Sequence, residues 1–208
     1  MDLVGKVALV TGSSSGIGEA IAKSLAKEGV GVIVNSGKSA EKGTRVSDII
    51  NKNGGDSIYV QADVSDQKQT KILFEKIIDH FNKVDILINN AGNAQSGDYD
   101  DLEVWDSQHK NILMSMVTAS DEFLKHIDTK NISKIVNVSS IYGSTLGGKL
   151  NFMAYSAAKA AMNNTTVNMA KMLGGKVLVN AVAPRWTWTP AWGDDKDEEE
   201  SRLKVDFP

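Results

Sequence analysis

The sequence predicts an α/β protein built on a doubly wound parallel sheet, three layers deep, because three observations agree. Short β-rich runs alternate with longer stretches of helical spacing, most runs are unbroken rather than alternating in polarity, and a glycine cluster stands between the first run and the first helix. The runs are Val7 to Val10, Val30 to Val34, Ser57 to Val60, Val84 to Ile88, Lys134 to Val138 and Val177 to Val182. A continuous apolar strand has no solvent face, so helices must cover it on both sides. The intervening segments supply them: Ile17, Ile21 and Leu25 share one face of Ile17 to Lys27, and Leu73 or Phe74, Ile77 and Phe81 share one face of Thr70 to Phe81. Six strands joined by right-handed helical crossovers place ligand sites at the carboxyl ends of the strands.

Composition narrows the function classes. The 208 residues suit a single domain, and 41% hydrophobic with 24% charged residues suits a soluble globular one. Lys plus Arg at 23 against Asp plus Glu at 26 leaves a net charge of -3 and no global positive field, so no nucleic-acid partner is expected. The absence of cysteine excludes disulfides, thiolate nucleophiles and cysteine metal sites. His80, His109 and His126 lack ligand spacing, and no metal is expected. No apolar run approaches the ~20 residues of a membrane span, and the opening MDLVGKVALVTG has no basic-then-apolar leader, so a cytoplasmic protein without a membrane partner is expected. The acidic stretch 193–201 reads as a solvated loop or a short surface helix, with Glu198 and Arg202 at i, i+4 spacing.

After the first strand comes Thr11-Gly12-Ser13-Ser14-Ser15-Gly16-Ile17-Gly18, leading straight into a helix. Strand, glycine loop and helix in that order turn backbone N–H groups and the positive helix end toward a pyrophosphate, and missing side chains permit close approach. The three serines add hydroxyl donors. With its G-x-x-x-G-x-G spacing the loop resembles that of the classical short-chain dehydrogenase/reductase family, including 3-oxoacyl-carrier-protein reductases. Four further marks follow in register from about Lys6 to Thr189: Asp63-Val64 closing the third strand, Asn89-Asn90-Ala91-Gly92 after the fourth, Asn111 on the next helix, and Ser140 after the fifth strand with Tyr155-Ser156-Ala157-Ala158-Lys159 opening the helix beyond.

The resemblance implies a Rossmann fold with strand order 3-2-1-4-5-6, the usual seventh strand being absent. It implies a catalytic tetrad of Asn111, Ser140, Tyr155 and Lys159. It implies a dinucleotide site of Gly12, Ser13, Ser14, Ser15, Gly16, Ile17, Gly18, Ser36, Asp63, Val64, Asn90, Ala91, Gly92, Tyr155, Lys159, Pro184, Thr187 and Thr189. Tyr155 and Lys159 stand four apart, so on one helix they share a face, and a neighbouring ammonium lowers a phenol from its ordinary pKa of ~10. Tyr155 would protonate a carbonyl oxygen or deprotonate an alcohol while a hydride passes between nicotinamide and substrate carbon. Ser140 would hydrogen-bond that oxygen; Ser139 faces the other way, and the family uses the later serine. Lys159 would hold the nicotinamide ribose and Asn111 a relay water. Tyr142 lacks a partner lysine, since position 146 is Leu.

Asn35-Ser36-Gly37-Lys38 ends the second strand without the acidic residue that would repel a 2′-phosphate, so NADP is expected, with NAD as the alternative. The fifteen positions from Ser140 to Tyr155 exceed the family's usual length, and an insertion near Leu146 to Asn151 would reshape the substrate mouth. Trp186, Trp188 and Trp192 would line an apolar pocket or an interface, while Trp105 is a packing residue. Arg185 stands where the family has glycine, and it would either contact the phosphates or obstruct the ring. Residues 1–208 are read as one domain, with 185–208 a partial substrate-loop region. The resemblance implies pairing of copies through the helices that carry Asn111 and Tyr155, giving a homodimer or homotetramer, and a small carbonyl or alcohol as substrate. The expected function is an NADP-dependent oxidoreductase; the alternative is a catalytically impaired nucleotide-binding regulator or scaffold of the same fold.

Overall fold

The computed structural model describes residues 3–144, 148–185, 187 and 189. The stretch 193–201, the tryptophans at 186, 188 and 192, and Leu146 lie outside them.

Six parallel strands form one sheet: β1 (Val7–Val10), β2 (Gly31–Ser36), β3 (Ser57–Gln61), β4 (Ile86–Asn89), β5 (Ser133–Val138) and β6 (Val177–Val182), in the order β3-β2-β1-β4-β5-β6. Helices α1 (Gly16–Lys27), α2 (Ala40–Lys52), α3 (Gln67–Phe81), α4 (Leu102–Gln108), α5 (Ser115–Lys125) and α6 (Met153–Leu173) make the crossovers. Alternation along each strand assigns the layers. Val7 and Leu9 join Ile33, Leu87 and Ile135 in a core closed by α3, α5 and α6, whereas Ala8 and Val10 join Val32, Val34 and Ile88 in a core closed by α1 and α2. Each fully buried Leu, Ile or Phe contributes ~1.5–3 kcal/mol, so both cores are needed to hold the sheet flat between its layers. At the β6 edge Leu178 and Val182 stay exposed.

Three features differ from expectation. The second strand starts at Gly31 rather than Val30, because the Val30 N–H is donated to Leu25 O at the end of α1. The fourth starts at Ile86 rather than Val84, and the Asp85 carboxylate before it accepts the Val7 N–H at 2.9 Å. The helix carrying Asn111 is interrupted by a π-helical turn over His109–Met114.

The strand order reverses between β1 and β4, and the helices reached from them, α1 and α5, cover opposite faces of the sheet, an arrangement that leaves a ligand crevice at the carboxyl ends of the strands. Below that crevice a buried polar chain crosses β4 and β5. Asn89 Nδ2 donates to Ser120 Oγ on α5 at 3.0 Å and to Asn137 Oδ1 at 2.8 Å, and Asn137 Nδ2 donates to Thr166 Oγ1 on α6 at 2.8 Å.

Candidate active site

The glycine loop is held from beneath. Thr11 Oγ1 accepts the N–H groups of Asn90 and Ala91, each at 3.0 Å, and the Asn90 amide donates to the carbonyls of Thr11 and Gly12, also at 3.0 Å. Gly12 adopts φ +63°, and a Cβ there would lie 2.8 Å from the Ala91 backbone. At Gly18 a Cβ would lie 2.5 Å from Asn90 Nδ2 and 2.6 Å from Gly12 O. The loop and the Asn90-Ala91-Gly92 turn therefore touch backbone to backbone, which only glycine permits. Thr11, which expectation passed over, is the anchor of this contact; a threonine opening the glycine run is the signal for it.

The serines divide their work. Ser13 is fully buried, its hydroxyl donating to Val10 O at 2.6 Å and accepting the Asn35 N–H at 3.0 Å, so it ties the loop to β2 instead of serving as a free donor. Ser14 is also buried, and Ser15 is exposed. Ser15 precedes α1 without capping it through its side chain, which leaves the first-turn N–H groups for another acceptor. Thr189 faces this terminus, 3.4 Å from where a Gly16 Cβ would stand. An uncapped helix start, positive-φ glycines and a threonine opposite them fit a dinucleotide pyrophosphate.

At the end of β2, Ser36 is paired with the Tyr59 hydroxyl at 2.9 Å, and Gly37 lies beside Asp63. The Asp63 carboxylate accepts the Ser65 hydroxyl and N–H at 2.7 and 2.9 Å, which braces the turn before the buried Val64. Ser36, Asp63 and Val64 are thus neighbours at one end of the crevice.

Gly92, Asn111 and Tyr155 meet at the other end. A Cβ on Gly92 would lie 2.9 Å from Ile112 Cγ1 and 3.5 Å from Asn111 O, and Ile112 belongs with Met116, Ala158, Met162 and Tyr155 to one apolar cluster. From the π-helical segment the Asn111 amide donates back to Ser107 Oγ on α4 at 3.1 Å. The Ser140 hydroxyl lies near enough to the Tyr155 phenol to pull its pKa down, whereas the Ser139 hydroxyl points to Lys159 O. Pro184 O accepts the Ile141 N–H at 3.2 Å, bringing the segment after β6 to the same place. Thr187 donates to Arg185 O, and both residues are exposed.

Lys159 is 5% exposed, with Nζ donating to Val138 O at 2.6 Å and 5.7 Å from the Tyr155 ring centroid. Burial lowers it from 10.5 to about 8. Tyr155 departs from the expected lowering. Burial holds it above 10.0, and only the Ser140 hydroxyl pulls the other way. The reason is where the ammonium points: it is bonded to the β5 carbonyl instead of the phenol oxygen.

The histidines have other roles. His126 stacks on Phe74 and contacts Glu122 at 3.3 Å, and His80 lies 3.6 Å from Asp56. Trp105 donates its indole N–H to Tyr99 O at 2.9 Å. Among the described residues no helix is long and apolar enough to cross a membrane.

The model of the short chain dehydrogenase family matches residues 6–200. The chain belongs to the short-chain dehydrogenase family. Among the relatives of this short-chain dehydrogenase, elsinochrome reductase 1 of Elsinoe fawcettii is 40% identical over 185 residues, covering 88% of this chain and 68% of that protein. A 3-oxoacyl-(acyl-carrier-protein) reductase of Staphylococcus aureus is 32% identical over 212 residues, covering 98% and 83%. A solved short chain dehydrogenase from Burkholderia cenocepacia in complex with NADP superposes with a TM-score of 0.86 at 35% identity, covering 97% of this chain and 84% of that one. This short-chain dehydrogenase is accordingly an oxidoreductase that acts on the CH–OH/C=O couple of a small molecule with a nicotinamide cofactor.

Proposed function

We propose that the chain is an NADP-dependent reductase or dehydrogenase in which Tyr155 is the acid/base. The observation that carries this reading is the convergence of Ser140, Tyr155 and the buried Lys159 at the carboxyl end of β5. A bound reduced nicotinamide supplies the hydride, and the protein's own residues handle the proton. A carbonyl oxygen between the Ser140 and Tyr155 hydroxyls accepts a hydrogen bond from Ser140 and takes the proton of Tyr155, so that hydride plus proton convert C=O to CH–OH. Burial keeps Tyr155 protonated and hence able to donate. The phenolate left behind would gain from the Lys159 ammonium, which lies 5.7 Å from the ring centroid although bonded to Val138 O, and which is mostly charged below its value of about 8. Asn111 is the proposed holder of the water that returns the proton.

Gly12, Gly16, Ile17 and Gly18 with Ser14 and Ser15 would hold the pyrophosphate, Asp63 and Val64 the adenine, and Ser36 with Lys38 the ribose end. Ser13 would act through the loop that it fastens. Asn90, Ala91, Gly92, Pro184, Thr187 and Thr189 would line the nicotinamide half. Ser36 in place of an acid supports NADP over NAD, as does the NADP bound to the Burkholderia relative. Exposed Met114 and Val117, with Val167 and Met172 on α6, support pairing of copies through these helices.

Titration with NADPH and NADH, followed by tryptophan quenching, tests the cofactor. Saturable binding with NADPH preferred is expected, and binding of neither nucleotide by folded protein would overturn the reading. Tyr155→Phe should keep NADPH affinity while lowering turnover by about 10²-fold or more. Turnover surviving in that variant would remove Tyr155 from the mechanism, whereas NADPH binding without turnover by wild type would leave the regulator or scaffold as the reading of this fold.

A further inference from the structure

Immediately after Ser140, the chain makes a 3-10 turn over Ile141–Gly143 whose position is tightly constrained. The Tyr142 N–H is donated to Ser140 Oγ at 3.2 Å, Asn163 Nδ2 of α6 donates to Gly143 O at 3.0 Å, and the Ile141 N–H reaches Pro184 O. Gly143 is pressed onto α6 so closely that a Cβ would lie 2.8 Å from the Lys159 carbonyl carbon and 2.9 Å from its oxygen. The backbone that carries Tyr142 is therefore fixed to the same helix as Tyr155.

The two tyrosine rings meet edge to face, with centroids 6.3 Å apart and planes at 88°. Tyr155 also packs with Ile112, Met116, Ala158 and Met162. The loop after β4 is joined to the turn before α6 by the Gly97 N–H, donated to Asn151 O at 3.0 Å. A carbonyl bonded to the Ser140 and Tyr155 hydroxyls would bring its skeleton beside the half-buried Tyr142 ring, which stands two residues from the one and in edge-to-face contact with the other.

We infer that Tyr142 is a specificity-determining residue whose ring favours carbonyls borne on planar aromatic ring systems over acyclic ones. The inference rests on the reading of Ser140 and Tyr155 given above. Its physical basis is the aromatic quadrupole. A planar substrate can lie offset against one rigid ring or meet it edge to face, and it gives up little rotational freedom in doing so; a flexible chain must be ordered first. The contact needs the ring and not the phenol oxygen.

The test compares wild type with Tyr142→Phe and Tyr142→Leu, using 2-tetralone as the aromatic bicyclic ketone and ethyl acetoacetate as the acyclic one. The ratio of kcat/KM for the two ketones is expected to fall by about threefold to tenfold in Tyr142→Leu and to stay within about twofold of wild type in Tyr142→Phe. Affinity of the NADP-saturated protein for 2-naphthol, measured by calorimetry, should weaken by a similar factor in Tyr142→Leu alone. An unchanged ratio and an unchanged 2-naphthol affinity in Tyr142→Leu would overturn the inference, as would equal losses in Tyr142→Phe. Failure of the catalytic reading looks different: neither ketone is turned over, while the calorimetric difference between Tyr142→Leu and wild type still decides the role of the ring.

Discussion

Lys159 is a cation with no carboxylate partner among the described residues, buried to 5% exposure against the end of β5, and replacing it should separate stability from activity. In Lys159→Met the apolar stem is retained and the charge is lost. The gap between about 8 in the folded protein and the ordinary 10.5 corresponds to about 3 kcal/mol of penalty against the charged form at neutral pH. Against this, the variant forfeits the hydrogen bond to Val138 O, a loss of ~1–3 kcal/mol for a charge-assisted bond to a buried group. Cofactor-free Lys159→Met is therefore expected to equal wild type at pH 7 or to exceed it by about 1–2 kcal/mol, while turnover disappears. The pH dependence is the sharper assay. Because the folded value lies below the unfolded one, the unfolded chain holds more protons between about 8 and 10.5, and wild-type stability must gain with pH across that window relative to the variant. Urea unfolding at pH 7 and pH 10 should show wild type gaining about 2 to 3 kcal/mol on Lys159→Met, the other titrating groups being common to both proteins. Identical pH profiles would refute the reasoning, since they would mean that the ammonium is already solvated in the folded protein.

Two further substitutions probe the cofactor crevice. Ser36→Asp should weaken NADPH binding by at least about tenfold through like-charge repulsion and narrow or reverse the preference over NADH, as read by titration with each; undiminished NADPH preference would move the selecting residue elsewhere. Gly18→Ala should lower stability by about 1–3 kcal/mol and weaken both nucleotides, because its Cβ collides with Gly12 O and Asn90 Nδ2; an unchanged melting temperature would mean that the loop can retreat.

Periodicity conveyed the six strands well, because the inner runs β1, β2 and β4 are buried on both faces and glycine marks the turn after β1, while the resemblance conveyed their order in the sheet. Its errors at Val30 and Val84 arose where a hydrophobic residue is buried while its backbone serves a helix end or an approaching turn. Helix α2 carries no obvious apolar stripe, since two of its four buried positions are Gly43 and Ser47, one accommodating the Tyr59 ring and the other bonding Ser57 O. The π-helical turn has no hydrophobic period of its own and depends on how α4 meets α6. At the candidate site, residue types and spacing conveyed which groups assemble. They could not convey where a hydroxyl or an ammonium points, which is why the inward-turned Ser13, the Val138 bond of Lys159 and the raised Tyr155 appear only in three dimensions.

The polar chain from Ser120 through Asn89 and Asn137 to Thr166 has a consequence for how such a protein can diversify. Asn89 and Asn137 are register partners across β4 and β5, so a slip of either strand by one residue would turn its amide to the opposite face and leave its partners without hydrogen bonds. The chain works as a key that only the correct strand alignment fits. Since it lies beneath the crevice and joins the strands and helices that carry Ser140 and Tyr155, rim segments such as residues 148–152 are free to change in length or chemistry without disturbing the alignment on which the reacting groups depend. Novelty at the mouth is compatible with fidelity at the base.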